Sequence, residues 1–293
     1  MSTALEQLAI GLANGSIYAA MGLALVLVYK GSHVLNVAQG EMALFAAYIA
    51  WWLMNLGLPL PVAYAGALLV AFAMGVALRY LLVPVQGSGG ELSVLIVTLG
   101  VFLALNSLDG RLWGDLPLAL GSPFSDSVIR FSGVALTWHQ AGMLGVIAAL
   151  MIVVTGFFQF SRAGLYLRAA AENELSARLS GIPVSRALAL GWGLAAVVGA
   201  VGGLLIAHIT FLSPPVMFGV LIYAVASAIL GGFDSPLGAV VGGLIVGVVE
   251  SVSSFYVPFV GNDLKIVAPI LIIVLVVLVR PQGIFGTQAV GRL

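Results

Sequence analysis

The sequence predicts an all-α, polytopic integral membrane protein with eight or nine transmembrane helices, and two observations support this prediction. Hydrophobic residues make up 61% of the 293-residue chain and charged residues only 8%, whereas soluble domains carry about 25% charged residues. The apolar residues are also gathered in runs long enough to cross a bilayer as helices. Because the bilayer core offers no water to bond the backbone, such runs adopt helices. We expect a single transmembrane domain over residues 1–293.

Nine apolar segments follow one another along the chain, separated by polar or glycine- and proline-rich connections. They cover residues 8–28, 42–54, 62–83, 92–108, 139–158, 187–209, 218–230, 239–255 and 266–279. The first segment has no basic residue before Lys30, unlike a cleaved signal peptide, so we expect it to be retained. Residues 109–137 are too polar and too broken by proline to cross the membrane, and we expect them to form an external loop.

The basic residues indicate which connections lie in the cytoplasm. If residues 161–186 are cytoplasmic and the spans alternate, eight basic residues fall inside and three outside, in agreement with the positive-inside rule. The inside set is Lys30, Arg79, Arg162, Arg168, Arg178, Arg186, Arg280 and Arg292, and the outside set is Arg111, Arg130 and Lys265. We therefore expect an external N-terminus and a cytoplasmic C-terminus.

Several classes of function are excluded by what the sequence lacks. The formal net charge of zero gives no sign of nucleic-acid binding, and the absence of cysteine removes disulfides and thiolate metal sites. No G-x-x-x-x-G-K-[ST] motif is present, so the chain has no phosphate-binding loop for ATP. No nucleophile and base lie at a workable spacing. We expect a non-catalytic chain that binds no metal and no cofactor.

A charged stretch, the 161–186 segment, lies between two apolar runs. Its six charged residues must face water, because each charge left in hydrocarbon costs roughly 2.5–3.5 kcal/mol. Within it, residues 169–180 predict one short helix, with Gly181 at its left-handed end and Pro183 just beyond. Glu174 precedes Arg178 by four residues, which favours a helical ion pair.

The same segment carries an apolar ridge. Leu175, Leu179 and Ile182 fall close to one face of the predicted helix, so that large apolar side chains would be shown to water. Exposed apolar surface of this kind is typical of a docking site for another protein. A merely solvated cytoplasmic loop is the alternative.

Polar residues at membrane depth indicate a possible translocation pathway. They are Asn14, Asn36, Gln39, Glu41, Asn106 and Glu250. Ion-coupled transporters place ionisable residues along their route, but here amides dominate and only Glu41 and Glu250 can ionise. Helix packing is the alternative role for each. A transporter without coupling groups of its own indicates that energy arrives from a partner, through the 161–186 segment.

Two similar stretches suggest an internal repeat. Ile17-Tyr18-Ala19 opens an apolar run that breaks at Gly31, and Ile222-Tyr223-Ala224 opens another that breaks at Gly231-Gly232. In the predicted topology both runs travel from outside to inside, so an axis along the membrane normal would relate them.

The motif RAAAENELSARLSGIPVSR resembles the cytoplasmic coupling segment of branched-chain amino acid ABC transporter permeases of the LivH type. Three further stretches resemble the same family in the same order: GLANGSIYAAMGLALVLVYKGSHVLNVAQGEMALFAAY, YAVASAILGGFDSPLGAVVGGLIVGVVES and LVRPQGIFG. The ribose-type sugar permeases share the pattern N-E-x-x-A-R-L-S-G-I, so that pattern alone does not separate amino acids from sugars.

The resemblance implies a heteromeric importer in the bacterial inner membrane. This chain would pair with a second, homologous permease, with two cytoplasmic ATP-binding subunits that hold ATP-Mg, and with an extracytoplasmic substrate-binding protein. Coupling to the ATPase would fall on Glu172, Asn173, Glu174, Leu175, Ala177, Arg178, Leu179, Gly181 and Ile182. The expected cargo is a branched-chain or other hydrophobic amino acid. The alternatives are a permease for amides, urea or a sugar, and a self-sufficient secondary transporter or channel.

Overall fold

The computed structural model describes residues 2–125, 127–131, 134–257 and 264–286. Arg292, which the sequence analysis counted among the cytoplasmic basic residues, lies outside these ranges. The described chain divides into two compact units, each drawn from separate stretches of sequence. Unit 1 comprises Met1–Val26, Phe124–Ile147 and Gly219–Leu293, and unit 2 comprises Leu27–Pro123 and Ala148–Phe218.

The described residues form ten helices and one β-hairpin. In chain order these are α1 (Ser2–Ser32), α2 (Gln39–Asn55), α3 (Leu60–Trp113), β1 (Val128–Phe131), β2 (Val134–Thr137), α4 (Trp138–Phe160), α5 (Arg162–Glu172), α6 (Glu174–Leu179), α7 (Val184–Thr210), α8 (Val216–Gly231), α9 (Pro236–Tyr256) and α10 (Val267–Val279). Helix α3 is two helices joined at Gly90, whose φ of 66° is not helical.

The nine predicted apolar segments all lie in helices. Six helical segments in the described chain are long and apolar enough to cross a membrane, among them the two halves of α3, Leu60–Val85 and Leu92–Trp113. Helices α8 and α10 are apolar but shorter, and α2 has 17 residues. The all-α polytopic prediction is confirmed.

Unit 1 is held together by close backbone approach between α1 and α9. A Cβ atom added to Gly243 would lie 2.4 Å from the Cα of Ala19, and one added to Gly247 would lie 2.4 Å from the Cα of Gly15. In a membrane the hydrophobic effect does not drive helices together, because lipid tails are as apolar as the side chains. Small residues at such crossings let the backbones approach closely, so that van der Waals contacts hold the helices together. Gly243 and Gly247 are four residues apart on α9, and this row of small residues therefore serves packing within this chain.

Unit 2 is built on α2, α3 and α7, which pack against one another, with α5 and α6 lying on α7. Gly203 of α7 meets α2 so closely that an added Cβ atom would lie 2.7 Å from the carbonyl oxygen of Ala43. At the far end of α7, Leu212 pairs with Leu118 in a short antiparallel bridge. This bridge fastens the connection after α3 to the chain that follows α7.

Residues 109–137 differ from the predicted loop in two ways. Helix α3 continues through this boundary to Trp113 and ends at Gly114, whose φ is 80°. Further on, β1 and β2 form an antiparallel hairpin with Val128 opposite Thr137. The short runs VIRF and VALT are too short to register as membrane spans, but β-branched runs separated by two residues favour a hairpin.

Candidate coupling surface and polar sites

The 161–186 segment contains two helices, so the prediction of one helix over residues 169–180 is wrong. Helix α5 ends at Glu172 and α6 begins at Glu174, because Asn173 has an extended backbone with φ −158° and ψ 104°. The Asn173 side-chain oxygen accepts a hydrogen bond from the Ser176 backbone nitrogen at 2.8 Å. Asparagine is a favoured N-cap residue, and here its own side chain starts a new helix within the predicted one.

The predicted end of this helical stretch is confirmed. Gly181 has φ 79°, and its nitrogen donates to the Arg178 carbonyl at 3.0 Å while the Ile182 nitrogen donates to the Ala177 carbonyl at 3.0 Å. This pair of bonds is the Schellman arrangement, which favours glycine at the left-handed position. Residue 181 therefore requires glycine for its backbone conformation.

The apolar ridge has two exposed members instead of the predicted three. The Leu175 side chain is 69% exposed and that of Leu179 is 81% exposed. Ile182 instead packs against a buried cluster, because the turn at Gly181 directs the chain back toward α7. The predicted ion pair between Glu174 and Arg178 is present, but both side chains are more than half exposed, so it contributes little to stability.

A small core joins this surface to the membrane helices. Ala170 of α5, Ala177 of α6, and Val184 and Leu188 of α7 form one buried cluster. Ala177, which was predicted to take part in coupling, therefore fastens α6 to α7 and is not exposed. Since interiors packed in this way transmit strain, a force applied to α6 would reach α7.

A buried arginine also connects the segment to α3. Arg79 is only 6% exposed and interacts electrostatically with Glu174. The two residues line a pocket of about 400 Å³ together with His33, Glu172 and Asn173. The pocket lies within unit 2, between the end of α1, helix α3 and the 161–186 segment.

Two of the six predicted pathway residues, Asn36 and Gln39, stabilise by hydrogen bonds the non-helical turn between α1 and α2. The Asn36 side-chain oxygen accepts from the Ala38 nitrogen at 3.1 Å, and its amide donates to the Gln39 side-chain oxygen at 3.1 Å. The Gln39 amide then donates to the Ala195 carbonyl of α7 at 3.2 Å. Both side chains are buried, and these bonds tie the start of α2 to α7.

Glu41 belongs to a second polar group of unit 2, which also contains Asp109. Both carboxyl groups are fully buried and interact electrostatically with each other. Glu41 interacts with the side chain of Asn106, whereas among the described residues the Asp109 carboxyl group and the buried Tyr48 hydroxyl have no hydrogen-bond partner. The nearby amide of Asn106 donates to the Pro214 carbonyl at 2.9 Å. The aromatic ring of Tyr48 stacks on Trp113 at 4.8 Å.

Asp109 is not among the predicted pathway residues, because it lies just beyond the apolar run that ends at residue 108 and was expected in the external loop. A signal was available, since Asn106, Asp109 and Trp113 recur at spacings of three and four, which place them on one helical face. This periodicity extends the helix beyond residue 108, where the hydrophobic run ends. The structure therefore adds a second buried carboxylate beside Glu41.

The remaining two predicted residues, Asn14 and Glu250, lie in unit 1. The Tyr18 hydroxyl donates to Glu250 Oε2 at 2.8 Å, and the ring of Tyr18 stacks on that of Tyr223 with centroids 4.4 Å apart. These are the two tyrosines of the repeated Ile-Tyr-Ala motif, so the two motifs meet beside one carboxylate. Sequence reasoning had used the motif only to argue for a repeat.

Asn14 and Glu250 share a pocket of about 410 Å³ with Gln7, Ser251 and Lys265. The Ser251 hydroxyl oxygen lies 2.9 Å from the Gln7 side-chain oxygen, which joins α1 to α9 at this level. The structure therefore brings the six pathway residues together in smaller groups, four in unit 2 and two in unit 1. Within the described ranges, no three acidic, histidine or cysteine side chains converge as ligands for a metal ion.

The sequence is similar to known transport permeases along almost its whole length. Residues 7–279 match the family described as the permease component of the branched-chain amino acid transport system. The high-affinity branched-chain amino acid transport system permease protein LivH of Salmonella typhimurium is 31% identical over 303 residues, which cover 98% of this chain and 97% of LivH. The ribose import permease protein RbsC of Escherichia coli K12 is 22% identical over 250 residues, covering 81% of this chain and 75% of RbsC.

A solved structure has a similar fold. PsaBC from Streptococcus pneumoniae, determined in complex with Fab, matches with a TM-score of 0.50 at 14% identity over 95% of this chain and 92% of the PsaBC chain. At this identity the likeness concerns the fold alone. The resemblance drawn from the sequence motifs is confirmed by the length and identity of the LivH match. This chain therefore belongs to the branched-chain amino acid transport permease family.

Proposed function

We propose that this chain is the transmembrane permease subunit of an ATP-binding-cassette importer that carries branched-chain or other hydrophobic amino acids. The observation that supports this most directly is the exposed pair Leu175 and Leu179 on a helix fastened to α7. The chain has no phosphate-binding loop of its own, and an exposed apolar pair on a helix packed against α7 is suited to contact an ATPase. The chain itself performs no catalysis and carries no cofactor.

The partners follow from this role. A second, homologous permease completes the transmembrane part, two cytoplasmic ATP-binding subunits bind and hydrolyse ATP-Mg, and an extracytoplasmic binding protein delivers the cargo. The assembly lies in the inner membrane of a bacterial cell. The 161–186 segment faces the cytoplasm, the N-terminus is external and the C-terminus is cytoplasmic, because this orientation satisfies the positive-inside rule.

The coupling residues have distinct roles in this proposal. Leu175 and Leu179 enter an apolar groove of the ATPase, while Glu172, Glu174 and Arg178 fix the orientation of the segment. A second set maintains its shape: Asn173 and Gly181 set the two ends of α6, and Ala177 and Ile182 pack it onto α7. Closure of the ATPases on ATP then moves α6 together with α7.

The buried polar groups supply the route for the cargo. The candidates in unit 1 are Asn14 and Glu250, and the candidates in unit 2 are Glu41 and Asn106. Asn36 and Gln39 act there by holding the start of α2, since their side chains are engaged by the Ala38 nitrogen and by α7. Ionisable side chains within transmembrane segments are costly and often lie along such routes, which supports this role for Glu41 and Glu250.

The experiment is reconstitution of the importer from this chain, its partner permease, the ATPases and the binding protein in liposomes. Uptake of leucine that requires both ATP and the binding protein is the expected result. Uptake by this chain alone would identify a self-sufficient transporter or channel and would refute the proposal. The similarity to RbsC favours a sugar as the second candidate cargo, and ribose competing with leucine on the cognate binding protein would reveal it.

A further inference from the structure

The polar pocket of unit 1 carries groups of opposite charge. Glu250 of α9 and Lys265, which precedes α10, both line it, and their charges interact electrostatically. In the described part of the chain no ion pair within 4 Å joins them. A negative and a positive group thus lie on the wall of one pocket without neutralising each other by direct contact.

The negative group is held in position by the protein. Glu250 is only 6% exposed, Tyr18 donates to its Oε2 atom at 2.8 Å, and the Tyr223 hydroxyl hydrogen-bonds to the same carboxylate. An ionised carboxylate accepts about four hydrogen bonds, and a buried one is costly unless it is paired. Among the described residues that line its pocket, Lys265 is the one other charged side chain. The geometry therefore leaves acceptor capacity at Glu250 for a cationic group that enters the pocket.

Helix α1 supplies uncharged groups to the same wall. Gln7, Ile10 and Asn14 recur at spacings of three and four, and therefore line one face of the helix. Two amides and an apolar side chain are thus presented along the pocket. The Ser251 hydroxyl lies 3.0 Å from the Gln7 backbone carbonyl and 2.9 Å from its side-chain oxygen, so its one hydrogen is shared between these two acceptors.

The dimensions of the pocket suit a small organic molecule. Its volume of about 410 Å³ falls within the range of about 300–1,000 Å³ for small-molecule sites. Besides its charged and amide groups, it is lined by two hydroxyl groups, of Ser251 and Ser254, and by Ile10 and Phe255, which offer an apolar surface of limited extent. A ligand that carries both charges on a compact head and a short apolar side chain satisfies all of these features.

We propose that this pocket recognises the zwitterionic head of an α-amino acid. Glu250 accepts the α-ammonium group, while Lys265 and the Asn14 amide donate to the α-carboxylate. Ile10 and Phe255 contact the aliphatic side chain. The inference rests on the proposed function and deepens it, because it assigns to this permease its own selection for zwitterions over neutral sugars.

The position of the pocket fits the first contact with the cargo. It lies between the N-terminal half of α1, the C-terminal end of α9 and the residues that lead into α10. In the proposed orientation these three ends are external, which is the side on which the binding protein releases its cargo. Recognition there precedes movement toward the cytoplasm.

The two lysines of the chain, Lys30 and Lys265, provide the test. The assembled importer, without binding protein, is placed in lipid nanodiscs, and an amine-reactive acylating reagent is added with increasing leucine. Mass spectrometry gives the ratio of Lys265 to Lys30 acylation, and this ratio corrects for reagent consumed by the amino acid. Leucine is expected to lower the ratio. Leucinamide, which lacks the carboxylate, and 4-methylpentanoate, which lacks the ammonium, should require about tenfold higher concentrations, as the loss of one charge-assisted contact predicts.

Variants complete the test. Glu250→Gln should raise the half-protecting leucine concentration about tenfold, whereas Glu6→Gln, a carboxylate on α1 that does not line the pocket, should leave it unchanged. Should Glu250→Gln fail to assemble, Asn14→Ala provides the second variant, with a shift of several-fold. An importer that takes up leucine normally while leucine leaves the acylation ratio unchanged would overturn the site and leave the proposed function intact. An importer that takes up no amino acid would instead refute the proposed function, and uptake is therefore measured first.

Discussion

Replacing Leu179 with aspartate is expected to uncouple the importer while leaving the permease folded. The Leu179 side chain is 81% exposed, and exposed substitutions away from special features change folding stability by only about 0.5 kcal/mol or less. In the proposed complex the same side chain is buried in a groove of the ATPase. Fully burying a leucine side chain contributes about 1.5–3 kcal/mol, and the buried carboxylate adds a desolvation cost.

Together these contributions exceed about 3 kcal/mol, which corresponds to a loss of more than about a hundredfold in affinity for the ATPase. The assay has two readouts, copurification of the ATPase with tagged permease and ATP-dependent leucine uptake in proteoliposomes. Ser176→Asp introduces the same charge on the same short helix, at an exposed position off the Leu175–Leu179 face, and serves as the matched control. Normal uptake by Leu179→Asp would refute the assignment of this ridge as the ATPase contact.

Three further predictions concern packing, charge and capping. Gly243→Ala should abolish monodisperse elution of the permease in detergent, because its added carbon would lie 2.4 Å from backbone of α1 and overpacking costs about 1–3 kcal/mol or more; Gly145→Ala, where nothing lies within 4 Å, should elute normally. Asp109→Asn should raise the melting temperature in detergent by several degrees, because a neutral amide of the same shape replaces a buried carboxyl group that can ionise beside Glu41 and an unpaired buried charge is costly; Asp234→Asn in an exposed turn should have no effect. Asn173→Ala should destabilise α6 by about 1 kcal/mol, because the helix loses its N-cap, and ATP-dependent uptake should fall as a result. Asn173→Asp keeps the cap and should restore uptake; equal uptake by both variants would contradict this role.

The 161–186 segment shows which structural features can be predicted from local sequence patterns. Gly181 was predicted as the end of a helix, and its left-handed φ of 79° follows from a rule about single residues. The break at Asn173 follows from an equally local rule, but the helical periodicity on both sides of it concealed the cap. Ile182 was placed on the exposed ridge because helical spacing was extended through Gly181, where the chain turns.

The buried polar groups show a different limit. Glu41 and Asp109 are 68 positions apart in the sequence, and their proximity depends on the packing of α2 against α3. Lys265 and Gln7 line the same pocket, which lies where α1 packs closely against α9. The small residues of α9 permit this close packing, but they do not specify which helix packs there. No periodicity within one segment carries that information.

The sequence by itself determined the helical membrane architecture, the number of apolar segments and the family, because hydrophobic run length and local motifs are written along the chain. Tertiary structure alone decided which polar groups meet, since helices of similar composition can pack in many registers and only close contact between particular faces selects one. The two tyrosines of the repeated motif make this plain. The repeated Ile-Tyr-Ala motif predicted that Tyr18 and Tyr223 occupy equivalent positions in two related stretches. Only the folded chain shows that their rings stack and that Glu250 lies beside them.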